Sequence, residues 1–214
     1  MCGRYTLTTK DFSKHYGVEQ GTFEFASYNV APTQNVPMIA VFEGQRTLTP
    51  ARWGLIPGWT KDLSHLRLNL FNARSETAHE KASFKGPLRY KRCLIPADGF
   101  YEWQREGNVK TPHYIQVGDQ SPFAFAGLYE LYKDELLSCT ILTTSPNKTM
   151  AKLHDRMPVI LSLDDYERWL EPSLNRVEDV EDLLQPYPGE MQAQPVSRAV
   201  NNVRNDGPDL VVAA

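Results

Sequence analysis

The sequence predicts an α+β chain dominated by β-structure. It reads as one domain over residues 1–214, built on a curved, barrel-like mixed sheet with short peripheral helices. Three observations carry this. Of 214 residues, 41% are hydrophobic and 13 more are glycine, enough for a packed core and against wholesale disorder. Runs rich in β-branched and aromatic residues recur along the chain, broken by turn residues, with 15 prolines spread throughout. Helical patterns are few and short.

The strand pattern falls on 36–42 (VPMIAVF), 47–54, 67–71, 92–96, 99–104, 113–117, 123–131, 137–144 and 158–161. This spacing suits a sheet that curls toward a barrel. Helices are expected at 9–16, after Thr8 and before Gly17, and at 146–152, where Pro146 follows Ser145. Residues 163–170 follow Ser162, with Asp165 three residues on in a capping-box pattern. In 176–184, Val177, Val180, Leu183 and Leu184 fall on one helical face with acids opposite.

Composition narrows the function. No apolar run reaches the ~20 residues of a membrane helix, and MCGRYTLTTKDF contains nothing like a signal peptide. A cytoplasmic, membrane-free monomer is expected. Three cysteines without a secretion signal argue against a disulfide framework, and the absence of a CxxC pair argues against structural zinc; no metal or cofactor is expected. The net charge of -3 is unlike that of a general nucleic-acid binder. The charge is uneven, however: residues 81–110 hold seven Lys/Arg against three Asp/Glu, and 163–190 hold nine Asp/Glu against two Lys/Arg. Such asymmetry leaves room for one basic face.

Cys2 is the first residue that points to chemistry. Removal of Met1 would leave an amine and a thiol on adjacent carbons. The α-amine has a reference pKa near ~7.7, so a sizeable fraction is neutral and nucleophilic at neutral pH. A 1,2-aminothiol condenses with an aldehyde to an imine, and the sulfur then closes a five-membered thiazolidine. Ring-opened abasic deoxyribose is such an aldehyde.

Seven blocks extend the case: MCGRY at 1–5, YNVAPTQ at 28–34, RWGLIPGW at 52–59, NARSET at 72–77, CLIPADGFYEW at 93–103, HDRMPVIL at 154–161 and VSRAVNNVRNDGPDL at 196–210. In this order they resemble the SOS-response-associated peptidase family, also called abasic-site processing proteins. The resemblance implies a single β-rich α+β domain that senses abasic sites in single-stranded DNA and crosslinks to them covalently through Cys2. Lyase activity and autoproteolytic removal of Met1 are the accompanying activities it implies. By motif, the family's catalytic residues fall on Cys2, Asn72, Glu102 and His154. Taken alone, Glu102 in its aromatic run reads as an outward strand carboxylate, Asn72 as a helix cap and His154 as a loop residue. In a site, Glu102 and His154 would move protons and Asn72 would hold the amine or a sugar oxygen without acting as an acid.

Arg4, Arg74 and Arg156 each stand beside one of these segments. If the segments converge, so do the guanidinium groups, as a phosphate clamp. The resemblance places Trp59 where an aromatic ring stacks on bases, with Pro32 nearby. Thr60 follows Trp59 where some members carry a second aromatic residue, and the 60–70 segment is longer than usual. Trp53, Cys93 and Cys139 read as core. A cysteine peptidase using the same thiol on an amide is the competing reading, though no GxSxG, HExxH or papain-like block supports a general protease.

Overall fold

The computed structural model describes residues 2–18, 25–63 and 70–214. Five strands close a barrel: β3 (Asn35–Phe42), β4 (Gln45–Trp53), β6 (Arg92–Ala97), β9 (Phe123–Tyr132) and β10 (Leu136–Thr144). The hairpin β3–β4 turns at Glu43 and Gly44, both at positive φ, which matches the twist of a two-residue hairpin loop. β3 pairs β6, β6 pairs β9 and β9 pairs β10, all antiparallel. The barrel closes where β10 runs parallel to β4, Ser138 opposite Arg52 and Cys139 opposite Trp53. That parallel seam makes the sheet mixed.

β5 (Asn72–Arg74) extends the sheet in parallel with β10, Ile141 opposite Asn72. Two short strands, β11 (Met157–Pro158) and β12 (Ile160–Leu161), pair with β10 and β9. A second sheet is antiparallel throughout, in the order β13 (Met191–Pro195), β8 (Val109–Val117), β7 (Gly99–Glu106), β1 (Arg4–Leu7) and β2 (Ser27–Val30).

The two sheets share a core. Tyr5 of β1 meets Trp53 of β4 and Phe125 of β9 edge-on, at centroid distances of 5.2 and 5.7 Å. On neighbouring strands, Gly127 is paired with Cys93, and a Cβ there would lie 2.8 Å from Cys93 Sγ. The outer face of the second sheet has its own cluster of Tyr101, Tyr114, Val196, Val200 and Leu210, so this sheet is covered on both sides. Cys93, Cys139 and Trp53 are fully buried, as their apolar neighbours imply.

The predicted β-dominated fold is the one observed, but several element boundaries differ. The first helix is α1 (Phe12–Tyr16), and it starts later than expected because Asp11 caps it through Lys14 N at 2.9 Å. Thr8 is instead bound to Asp98. Gly17 ends α1 in the left-handed conformation, as read. The helix expected at 146–152 contracts to one 3₁₀ turn at Met150–Lys152, where Met150 N donates to Asn147 Oδ1 at 3.0 Å. The 163–170 helix is a 3₁₀ turn followed by α4 (Tyr166–Leu170); the Ser162 hydroxyl donates to Asp165 rather than accepting from the backbone. The 176–184 helix divides into two 3₁₀ turns. The strand expected at 67–71 lies largely outside the described residues. Two helices were not predicted, α2 (Ser75–Ala78) and α3 (Lys85–Tyr90).

Candidate active site

The two sheets bring four distant segments to one place. β1 pairs with β7 only as far as Arg4 opposite Tyr101. Beyond that point Gly3 and Cys2 run on while β7 continues through Glu102 and Trp103. An open cavity of about 760 Å³ lies there, lined by Gly3, Phe71, Glu102, Trp103, Arg105, Lys110, Leu153, His154 and Asn201.

Cys2 is fully buried, and its Sγ–H points at Arg4 O, 3.7 Å away. Burial pushes its thiol well above the ordinary range, and the nearby Glu102 carboxylate pushes it further. Its carbonyl oxygen accepts a 2.7 Å hydrogen bond from Asn72 Nδ2. Asn72 reaches it because the parallel pairing of β5 with β10 carries the NARSET segment to the barrel rim. The Asn72 Oδ1 atom is buried without a partner among the described residues, an acceptor held ready at the Cys2 main chain.

Glu102 is 3% exposed, which corrects its reading as an outward carboxylate. The cause is local: its stretch of β7 is flanked by β8, where His113 lies opposite, and by the chain entering β1. Its Oε1 accepts from Trp103 N at 3.2 Å. His154 follows the 3₁₀ turn, anchored by its N–H to Met150 O at 2.8 Å. Its Nδ1 lies 2.7 Å from Asp155 Oδ1 and 3.0 Å from Arg156 N. One nitrogen either donates to the carboxylate or accepts from the amide, so the imidazole has two alternative pairings that differ by a proton position.

The three arginines differ in their surroundings. Arg4 folds back on Gly3 O at 3.0 Å, and burial lowers its pKa; its Nε is buried and unpartnered among the described residues. Arg74 is exposed at the start of α2. Arg156 is engaged: Glu76 accepts from both of its terminal nitrogens, at 2.6 and 2.7 Å, and Thr143 O accepts at 2.5 Å. The guanidinium therefore ties the HDRMP segment to α2. Trp59 is 61% exposed on the turn after β4. Pro32 is half-buried in the loop held to the end of β4 by Thr33 N to Trp53 O, 2.7 Å.

Sequence reasoning did not single out Arg105, Lys110 or Asn201. Asn201 Oδ1 accepts from Trp103 Nε1 at 2.8 Å. The basic run at 81–110 was the signal for Arg105 and Lys110; Asn201 sits within the last matched block without a chemical mark of its own. Among the described residues, no group of three His, Cys, Asp or Glu side chains is arranged to hold a metal ion, and no helix is long and apolar enough to cross a membrane.

These features define a β-barrel protein with a buried cysteine at position 2, an amide on its carbonyl, a carboxylate nearby and an imidazole lining the adjoining cavity. The chain belongs to the SOS response associated peptidase (SRAP) family, whose sequence model matches residues 1–203. It is 43% identical to the abasic site processing protein YoqW of Bacillus subtilis (strain 168), over 99% of each chain. It is 35% identical to the abasic site processing protein HMCES of Xenopus tropicalis, covering 87% of this chain and 66% of that one. A crystal structure of a protein from Bacteroides thetaiotaomicron superposes with a TM-score of 0.86 at 29% identity, covering all of both chains. One from Bordetella bronchiseptica gives 0.80 at 28% identity over 92% of this chain.

Proposed function

We propose that this protein processes abasic sites by capturing the ring-opened sugar in single-stranded DNA on its N-terminal Cys2, shielding the lesion. Met1 is first removed. The freed α-amine adds to the sugar aldehyde, and water leaves to give an imine. The Cys2 sulfur then adds to the imine carbon while its proton passes to nitrogen, closing a thiazolidine with net loss of one water. Glu102 serves as proton donor and acceptor at the carbonyl and leaving hydroxyl, and His154 exchanges protons across the cavity. Asn72 orients the Cys2 main chain. Arg4 and Arg74 hold phosphates, and Trp59 and Pro32 hold bases or the strand around the lesion.

The observation that carries this reading is the convergence at Cys2: Asn72 Nδ2 donates to its carbonyl, and Glu102 and His154 line the cavity that the neighbouring Gly3 also lines. Burial raises the Cys2 thiol pKa, which suits a sulfur that acts second, on an imine. Relatives named for abasic-site processing support the same substrate. The peptidase reading uses the same atoms and is favoured only by the family's name. A denaturing gel separates the two. Protein incubated with an abasic single-stranded oligonucleotide is expected to give a heat-stable shifted band, with an intact mass equal to mature protein plus oligonucleotide minus water. No shifted band with fully processed protein would overturn the proposal.

A further inference from the structure

The basic run at 81–110 is divided by the fold. Arg92 is buried against Trp169 and Glu171 carbonyls, and Lys91 pairs with Glu130. Lys85 and Arg89 line a separate cavity beside α2. Only Arg105 and Lys110 reach the cavity next to Cys2.

These two residues stand directly opposite each other across the β7–β8 hairpin. Directly paired residues project from the same face of a sheet, so two exposed cations are held side by side. Like charges in that position oppose folding. Neither is in an ion pair among the described residues. Continued in register, Cys2 would fall opposite Trp103, and Arg105 lies two residues further along β7. Two residues of strand span roughly 7 Å, about one nucleotide step of an extended single strand. The cavity is also far larger than one deoxyribose, and it continues from Glu102 and His154 out to this pair.

We infer that Arg105 and Lys110 form a phosphate subsite for the DNA backbone adjacent to the captured sugar. The inference rests on the proposed function for its ligand. A backbone phosphate placed between the two cations turns a repulsive pair into a bridged one.

The test uses full-length mature protein and a single-stranded oligonucleotide carrying a tetrahydrofuran abasic analogue, which has no aldehyde and cannot crosslink. Anisotropy is measured over a salt series. Arg105→Ala and Lys110→Ala are each expected to lower the slope of log K against log salt by about 0.7, and the double variant by about 1.4. Lys110→Glu places opposite charges across the hairpin. It is expected to melt at or above the wild-type temperature while binding the oligonucleotide more weakly, a combination that a structural role would not produce. Wild-type protein that binds with slopes unchanged in all these variants overturns the subsite alone. Wild-type protein that does not bind overturns the proposed function along with it.

Discussion

The side-chain amide of Asn72 donates to the main-chain carbonyl of Cys2 across 2.7 Å, joining residues 70 positions apart. This bond fixes the main chain from which the amine and thiol of the proposed reaction both project. Asn72→Ala strands a buried carbonyl, which costs about 1–3 kcal/mol, and misplaces the aminothiol. Adduct formation is expected to slow at least tenfold while the melting temperature falls only a few degrees. Wild-type crosslinking kinetics in Asn72→Ala would remove the residue from the site.

The amine requirement gives a sharper test. While Met1 remains, the Cys2 nitrogen is a planar amide with its lone pair delocalised. A protein with a non-removable residue before Cys2 is expected to fold and bind DNA weakly without forming a thiazolidine. Proteolysis that exposes Cys2 should restore crosslinking. Cys2→Ser keeps the amine, so it should yield only an imine trapped by borohydride, and Cys2→Ala should yield no stable adduct. Crosslinking by the extended protein at the mature rate would refute the aminothiol route.

Glu102 and His154 should separate kinetically. Glu102→Gln removes the proposed proton-transfer group and is expected to slow adduct formation by ~10²–10⁴-fold. His154→Ala, at a more exposed position with two alternative Nδ1 partners, should slow it less or change its reversal. Single-turnover rates measured by quenched gels decide this; unchanged rates in both would exclude them from proton transfer.

Arg156 predicts a stability effect with a defined sign. Its hydrogen bonds hold the Glu76 carboxyl below the usual carboxylate range. A depressed folded-state pKa contributes stability above the unfolded value, near 4.5, and that contribution is lost as pH falls through the lower folded value. Glu76 is about half exposed, so screening limits the pair to roughly 0.5 kcal/mol. Glu76→Gln should therefore melt slightly lower than wild type at pH 7, with the gap closing as pH drops below about 4.5. A gap that stays constant with pH would mean that the charge of Glu76 contributes nothing.

The fold class was legible because strand-forming runs separated by turns survive any uncertainty at their ends. Elements without an apolar signature were not. RYTL in β1 has too few residues to show alternation, β5 has three residues, and MQAQP in β13 is a polar strand at a sheet edge. Helical periodicity at 176–184 was real, but its single apolar stripe is met by two 3₁₀ turns. The candidate site was legible only as ordered motif blocks. No spacing in the sequence reveals that β1 stops short and leaves Glu102 at a cavity wall, or that Arg105 and Lys110 meet across a hairpin.

Cys2, Cys93 and Cys139 are all buried as free thiols. Peroxide oxidation and alkylation follow thiolate character and access, and burial limits both at Cys2. If Cys2 acts as proposed, the same enclosure keeps its thiol unspent until an abasic sugar has bound the α-amine. With Met1 in place, native protein should thus react with iodoacetamide much more slowly than unfolded protein does.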